Sequence, residues 1–416
     1  MVAGTLYQMD TTIEPPARTT PQRPRLTGRL VALLAGMAAL GSLAINVILP
    51  AFPAMAADLG TTVPALSATL GSFFVAFAAG QLFVGPLSDR FGRQRLVLGA
   101  LTVIVAGSVM CALATSLPEL IIGRIVQALG VCATSVLSRA IARDLFEGPA
   151  LARALSFMMV AMAAAPGFSP LLGGAFDALL GWRAIFVLVA ACAVLLGLLY
   201  VLRLGESHPA DRRTPLSVAA VGRGYGRLLV DRRFIAPALS VSLVLGSLYL
   251  FFAMAPAILM EGFGFSPFGL ALFFATTVFV VFGAGMLAPR LAARLGPLRA
   301  ARTGVAVALA GGVALLAGPH DAAYFSAGLT VFLVGMGVVN PLGTAITLQP
   351  FGQQAGAASA LLGFMQMGCA ALAIGTVSVL PLAPYPAFCA VLAGGLVVSL
   401  GVLWSGALPA ADGPGA

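Results

Sequence analysis

The chain has 416 residues, of which 60% are hydrophobic and only 9% are charged. Soluble proteins carry roughly 25% charged residues, so this composition excludes a soluble domain and predicts many membrane spans. The formal charge is +9, and every basic side chain apart from two histidines is arginine. In a soluble protein this excess would suggest nucleic acid; in a membrane protein it reports which face each loop occupies, and we expect no nucleic-acid partner.

The amino-terminal segment is polar and proline-rich, without a short apolar stretch that ends in a cleavage site. It therefore predicts a cytoplasmic tail over residues 1–29 rather than a signal peptide. The cysteines are scattered through apolar runs without metal-ligand spacing, so we expect no disulfide framework, no metal and no cofactor. They are Cys111, Cys132, Cys192, Cys369 and Cys389.

Twelve stretches are long and apolar enough to cross a bilayer, which takes about twenty residues. Only helices satisfy their own backbone in lipid in this way, so the predicted fold is an all-α membrane protein. The expected spans are residues 30–50, 66–86, 96–115, 118–141, 152–176, 184–203, 235–257, 268–289, 300–318, 323–346, 355–380 and 385–405.

The arginines predict the orientation of these spans. If the amino terminus is inside, all but two of the 23 arginines fall on the inner side. The exceptions are Arg124, inside the fourth span, and Arg183, at the outer end of the sixth. We expect a multi-pass protein of a bacterial inner membrane with both termini cytoplasmic. Its predicted parts are six-helix bundles over 30–204 and 234–405, a cytoplasmic central loop over 205–233 and a cytoplasmic tail over 406–416.

The turn after the second span reads Gly-Pro-Leu-Ser-Asp-Arg-Phe-Gly-Arg from Gly85 to Arg93. Taken alone, it could be a basic cytoplasmic turn. Its glycine and Asp-Arg spacing resembles the signature loop of the major facilitator superfamily. A weaker copy without the aspartate follows the eighth span, from Gly285 to Gly296. The resemblance implies two pseudo-symmetric six-helix bundles with a substrate site near the membrane midplane.

The resemblance also implies an inner latch between the two bundles. Asp89 would sit near the start of the eleventh helix, around Ala355, where a helix amino terminus attracts an anion. Arg93 would pair with Asp144. The residues assigned to this latch are Gly85, Asp89, Arg90, Gly92, Arg93 and Asp144.

Arg124 lies about 9 Å inside the fourth span, at 1.5 Å per residue. A charge at this depth is costly and faces a cavity or a partner, unless it reaches back to the interface. The run from Gly123 to Gly130 resembles the superfamily's fourth-helix motif, which implies a role for Arg124 in proton transfer and substrate binding. Gln127 shares its helix face.

The fifth span contains two prolines and three glycines within ten residues. This run resembles the fifth-helix motif that distinguishes antiporters from symporters in the superfamily, although Ser169 replaces the usual glycine. A kinked helix without that role is the alternative. Glycine permits close helix packing, which we expect against the second bundle. The motif residues are Pro166, Gly167, Pro170, Gly173 and Gly174.

Five segments resemble, more narrowly, the drug:proton antiporters of the bicyclomycin-resistance and chloramphenicol-exporter type: residues 49–53, 80–90, 139–144, 181–186 and 355–364. That family usually has an aspartate where this chain has Asn46, which cannot titrate. Every acid of the sequence falls in a tail, in a loop or at a helix end by the predicted spans. We therefore expect an Asn46–Arg124 hydrogen bond in place of an ion pair.

The sequence predicts a secondary active exporter of small amphiphilic or polar-neutral compounds that acts as a monomer in the bilayer; the resemblance implies exchange for protons. The alternative is a metabolite exporter with weak or no proton coupling. An enzyme is disfavoured because His208 and His320 lie in loops on opposite sides; a sensor would need a further domain. The predicted substrate and proton pathway comprises Asn46, Arg124, Gln127, Tyr249, Asn340 and Gln366, although helix packing explains the last three equally well.

Overall fold

A computed structural model describes residues 27–209, 211, 213 and 218–405. These residues form fourteen α-helices and no strand, which confirms the predicted all-α fold. The helices are α1 (Gly28–Asn46), α2 (Phe52–Asp58), α3 (Val63–Phe91), α4 (Arg93–Leu113), α5 (Leu117–Leu145), α6 (Gly148–Leu180), α7 (Arg183–Arg203), α8 (Val218–Val230), α9 (Arg232–Ala255), α10 (Pro267–Leu295), α11 (Pro297–Ala317), α12 (Ala322–Leu348), α13 (Ala355–Val379) and α14 (Pro384–Ser405).

Twelve candidate membrane spans lie within the described residues, and each coincides with one of the twelve predicted spans. Helices α1 and α2 form the first span together, joined by a 3-10 turn over Leu49–Ala51 that contains Pro50. The seventh span ends in a π-helical turn over Pro256–Gly262. The predicted tails lie outside the described residues, except for residues 27–29.

The two halves, α1–α7 and α9–α14, repeat the same packing. In the first half, a Cβ on Gly130 of α5 would overlap the carbonyl oxygen of Ala100 in α4. In the second half, a Cβ on Gly335 of α12 would overlap the backbone of Ala308 in α11. Glycine at these points lets the backbones of neighbouring helices approach closely in a membrane. The equivalent helix pairs therefore use the same device.

The two signature-like turns also adopt one conformation. Gly92, between α3 and α4, has φ 89° and ψ 159°, and Gly296, between α10 and α11, has φ 82° and ψ 152°. Positive φ favours glycine because a Cβ would clash with the backbone. The weak sequence repeat therefore reflects a structural repeat. We call the face that carries these two turns and the α7–α9 connection the basic face.

The halves meet along two seams, α3 with α13 and α6 with α10. Gly71 and Gly363 mark the first seam, because a Cβ on either would contact Ile374 or Gln81 respectively. Away from the basic face, the Leu49–Ala51 turn of the first half packs against α9 and α10. The halves are therefore closed against each other on the face opposite the basic one.

Helix α8 was not predicted, since residues 205–233 were expected to be a loop. It buries Leu228, half-buries Val221 and Tyr225, and exposes Arg223 and Arg227. The spacing of these residues, i, i+4 and i+7, is typical of an amphipathic helix and is visible in the sequence. The helix packs against α9 and α13 of the second half.

Candidate functional site

A cavity of about 1160 Å³ lies between the two halves. Helices α1, α3, α5 and α6 line it from the first half, and α9, α10, α12 and α13 from the second. At the basic face it reaches Asp89, Asp144 and the side of α8. The cavity therefore extends toward the basic face, whereas the halves are in contact at the opposite face. Its size suits a drug-sized molecule.

Four of the predicted pathway residues line this cavity: Asn46, Tyr249, Asn340 and Gln366. The Tyr249 ring lies against Phe74, with 4.8 Å between the ring centroids. Although the segments 80–90 and 355–364 contain two of them, other polar residues of the same wall were not predicted as pathway residues. They are Gln81, Ser135, Thr277, Thr344 and Ser359.

The predicted hydrogen bond between Asn46 and Arg124 is wrong. The Asn46 amide donates to the carbonyl oxygen of Ser42 at 2.8 Å, and its own side-chain oxygen has no partner among the described residues. Arg124 instead donates to the carbonyl oxygen of Ala44 at 3.0 Å. Residues 44 and 46 point about 200° apart around a helix. Arg124 therefore contacts the backbone of α1, whereas the Asn46 side chain lines the cavity.

Arg124 is fully buried behind the cavity wall rather than on it. One of its terminal nitrogens also donates to the Gln127 side-chain oxygen at 2.5 Å, and its guanidinium lies 4.4 Å from the Phe73 ring centroid. Gln127 in turn donates to Ser108 at 2.8 Å. Neither Arg124 nor Gln127 lines the cavity, so their place in the substrate or proton pathway stays a prediction.

The predicted pair of Arg93 and Asp144 is present, with 2.9 Å between Nε and the carboxylate oxygen. Arg93 also donates to Asp89 at 2.6 Å and to Ser88. Its backbone N–H donates to Glu206, at 2.9 Å. Glu206 belongs to the central segment and was not a predicted site residue. One buried arginine therefore joins the ends of α3 and α5 to the α7–α9 connection.

The remaining latch residues make looser contacts in this conformation. Arg90 is exposed, with its guanidinium 5.2 Å from the Phe91 ring centroid. A Cβ on Gly85 would meet nothing within 4 Å, although the residue lines the cavity. Asp89 accepts from Arg93 and shares the cavity wall with Gly356, at the start of α13. The role of these residues as a latch stays a prediction.

The fifth-helix motif packs in two directions. Gly167 faces the second half, where its Cβ would lie 3.3 Å from Val278. Gly173 faces the first half, because its Cβ would overlap the carbonyl oxygen of Val47. The expectation that Gly173 packs against the second half is therefore wrong; α6 presents that residue to α1.

The other motif residues differ in their surroundings. Pro166 lines the cavity and Pro170 is buried in the continuous helix α6. A Cβ on Gly174 would make an ordinary contact of 3.7 Å with Pro50. Ser169 donates to the carbonyl oxygen of Ala165, so its hydroxyl needs no partner on another helix.

Helix α8 connects the second half to the first. The Tyr225 hydroxyl donates to the carbonyl oxygen of Leu82 in α3 at 2.9 Å. Burial raises the pKa of the Tyr225 phenol above its ordinary value. The hydroxyl therefore stays protonated and able to donate throughout the physiological pH range.

The family model of the Major Facilitator Superfamily matches residues 34–376. The chain belongs to the Major Facilitator Superfamily. Its relatives in this superfamily include the uncharacterized transporter YdgK of Bacillus subtilis (strain 168), which is 32% identical over 349 residues, 81% of this chain and 85% of YdgK. The matched family consists of transporters rather than enzymes.

Two further relatives confirm the narrower resemblance. The chloramphenicol resistance protein of Pseudomonas aeruginosa is 33% identical over 331 residues, 77% of this chain and 75% of the relative. The bicyclomycin resistance protein homolog of Haemophilus influenzae (strain ATCC 51907 / DSM 11121 / KW20 / Rd) is 27% identical over 336 residues, 79% of this chain and 83% of the relative.

A solved structure of the nucleoside transporter NupG superposes with a TM-score of 0.70. It covers 92% of this chain and 99% of NupG at 15% sequence identity. At that identity the likeness concerns the fold alone. It supports the arrangement of twelve helices in two six-helix bundles that is typical of facilitator transporters.

Proposed function

We propose that this facilitator exports small amphiphilic or polar-neutral compounds, including antibiotics, in exchange for protons. The observation that carries the proposal is the drug-sized cavity between the halves, which extends to one face and is closed at the other. Such a cavity is one state of an alternating-access cycle. Relatives named for chloramphenicol and bicyclomycin resistance support the choice of cargo.

The proposed orientation places the basic face in the cytoplasm of a bacterial cell, with both termini on that side. Arginines concentrate at this face, as the positive-inside rule requires. The cavity would then collect its cargo from the cell interior. We assign the bundles to residues 30–204 and 234–405, and we propose that the protein acts as a monomer, since one chain contains the whole cavity.

Within this scheme, Asn46, Tyr249, Asn340 and Gln366 contact the cargo. Arg124 and Gln127 act from behind the wall, where Arg124 holds the Ala44 carbonyl oxygen of α1. The Arg93 cluster with Asp89 and Asp144 would close the basic face when the cavity opens on the other side.

Metabolite export with weak or no proton coupling is the second candidate, and the distribution of acids favours it. Among the described residues, the carboxylates that line the cavity are Asp89 and Asp144, which lie near its basic-face end and are hydrogen-bonded to Arg93. Asn46 occupies the deeper position where the drug:proton antiporters usually have an aspartate. A proton would therefore have to bind near the mouth.

Everted membrane vesicles test the proposal, because an exporter in them accumulates its cargo. Radiolabelled chloramphenicol and bicyclomycin are supplied outside, with and without an imposed proton gradient. We expect gradient-driven accumulation of at least one drug that an uncoupler abolishes, compared with vesicles that lack the protein. Accumulation that ignores the uncoupler would favour the second candidate. Absence of accumulation for both drugs, with normal protein levels, would contradict drug export.

A further inference from the structure

One helix presents a positive stripe to the cavity. Ser135, Arg139 and Arg143 follow one another at four-residue spacing along α5, and all three line the cavity. Residues four apart share a helix face. Arg139 lies six residues before the end of α5, about 9 Å along the helix axis. Its charge is therefore held inside the cavity, beyond Arg143 at the mouth.

Arg139 is half-buried and has no hydrogen-bond or carboxylate partner among the described residues. The two buried arginines of this half do have acceptors: Arg93 binds Asp89 and Asp144, and one terminal nitrogen of Arg124 donates to Ala44 and Gln127 while its other two nitrogens have no partner among the described residues. A charge that is partly removed from water is costly unless something compensates it. The compensating group for Arg139 is therefore missing from its surroundings.

The surroundings are also positive as a whole. Among the described residues, the cavity is lined by five arginines and two aspartates. Both aspartates already accept hydrogen bonds from Arg93. The remaining cavity arginines are Arg139, Arg143, Arg223 and Arg227. A cleft with low-dielectric walls and one sign of charge concentrates ions of the opposite sign.

We propose that Arg139 binds the anionic group of an amphiphilic cargo, such as a carboxylate or a sulfonate. This inference rests on the proposed function of the cavity as the transport path. A guanidinium suits the task because its planar fork donates two parallel hydrogen bonds to such a group. The apolar part of the cargo would lie against Phe77 and Phe252, which line the same cavity. Neutral cargo would use the same wall without contacting Arg139.

Two dyes that differ only in charge test this assignment: 8-anilinonaphthalene-1-sulfonate and its sulfonate-free analogue N-phenyl-1-naphthylamine. Binding is measured by fluorescence with the full chain in phosphatidylcholine nanodiscs, after subtraction of empty nanodiscs. Hydrogen bonds to charged groups contribute about 1.5–3 kcal/mol. We therefore expect Arg139→Gln to weaken binding of the sulfonate dye by about tenfold or more. Binding of the neutral dye should change little, and Arg139→Lys should restore part of the loss.

Arg153→Gln is the matched control, because Arg153 is an exposed arginine near the same face that does not line the cavity. It removes the same charge and should leave both dyes bound as before. The assignment is overturned if Arg153→Gln matches Arg139→Gln, if Arg139→Gln weakens both dyes equally, or if it weakens neither. Phosphatidylglycerol that displaces the sulfonate dye in an Arg139-dependent way would assign the site to a lipid headgroup instead.

The outcome is separable from that of the vesicle assay. If vesicles that contain the protein accumulate chloramphenicol while Arg139→Gln leaves binding of the sulfonate dye unchanged, the assignment of the anion site is wrong and the proposed function stands. If neither drug accumulates while Arg139 still determines sulfonate binding, the anion site stands and drug export is wrong. Unaltered binding of the neutral dye confirms in each case that the variant is folded.

Discussion

Two arginines on α5, fifteen residues apart in sequence, lie in opposite environments. Arg124 is fully buried within the first half, where a carbonyl oxygen, a side-chain amide and an aromatic ring surround it. Arg139 lines the cavity and has no partner among the described residues. The sequence motif draws attention to Arg124, yet the cargo could touch only Arg139 in this conformation. Depth in the membrane and access to the cavity are therefore separate properties.

The same contrast extends to the rest of the first half. We call the α1–α5 and α1–α6 contacts around Arg124 and Gly173 the sealed region. Its residues are closely packed and shielded from the cavity, so changes there should reduce stability. Residues that line the cavity, such as Asp89 and Asn46, should alter transport while the fold persists. The following four predictions test this division, from the largest expected effect to the smallest.

Arg124→Ala should lower the stability of the protein by about 2–5 kcal/mol, the range for truncating large buried side chains. It would leave a void and deprive Gln127 and the Ala44 carbonyl oxygen of their donor. Arg139→Ala should change stability by about 0.5 kcal/mol or less, as is usual outside packed regions. Thermal unfolding of both purified variants measures this. Equal destabilisation by the two changes would abolish the distinction between the two arginines.

Gly173→Ala should destabilise the protein by about 1–3 kcal/mol, the usual cost of overpacking, and should strongly reduce export. The added Cβ would overlap the Val47 carbonyl oxygen and force α1 and α6 apart. Gly174→Ala is the control, since its Cβ would make only an ordinary contact with Pro50. Thermal unfolding and vesicle export are compared. Similar behaviour of the two variants would show that Gly173 does not close this contact.

Asp89→Asn should reduce export while leaving stability nearly unchanged. The Asp89 side chain is 47% exposed, and exposed ion pairs contribute about 0–1 kcal/mol. The neutral amide would weaken the ion pairs around Arg93. When the cavity opens on the other face, it would also weaken the proposed attraction between position 89 and the amino terminus of α13. Arg95→Gln, an exposed change beyond the latch, serves as the control. Normal export by Asp89→Asn in vesicles would remove the latch role.

Asn46→Asp should make export more dependent on pH and should favour cationic cargo, because it adds a titratable negative charge to the cavity wall. Asn46→Gln keeps an amide and should gain neither property. Vesicle export of one cationic and one neutral compound across a pH series measures both. If the wild type already exports the cation with steep pH dependence, an existing acid carries the proton and the substitution should add little.

The sequence predicts the spans well because each must be a long apolar helix, and the arginines mark every other turn. The signature turn was also predictable. Gly92 adopts a positive φ that favours glycine, and Arg93 forms a buried ion pair, so both positions require these residue types. The partner of Asn46 could not be predicted, because α1 is almost uniformly hydrophobic and its sequence does not show which side faces the cavity. The same uniformity hid the partner of Gly173. Helix α8 was not predicted because its arginines were interpreted as part of a cytoplasmic loop, although the spacing of Val221, Tyr225 and Leu228 indicates an amphipathic helix.

Helix α8 adds a stabilising contact between the two halves at one face of the protein. Among the described residues, no helix outside the twelve spans lies on the opposite face, and the Tyr225 bond to Leu82 is made while the cavity extends to the basic face. One hydrogen bond contributes about 1 kcal/mol, which corresponds to roughly a fivefold change in population. If this bond breaks when the cavity opens to the other face, the connection between the halves favours by about that factor the state that, in the orientation proposed above, is open to the cell interior.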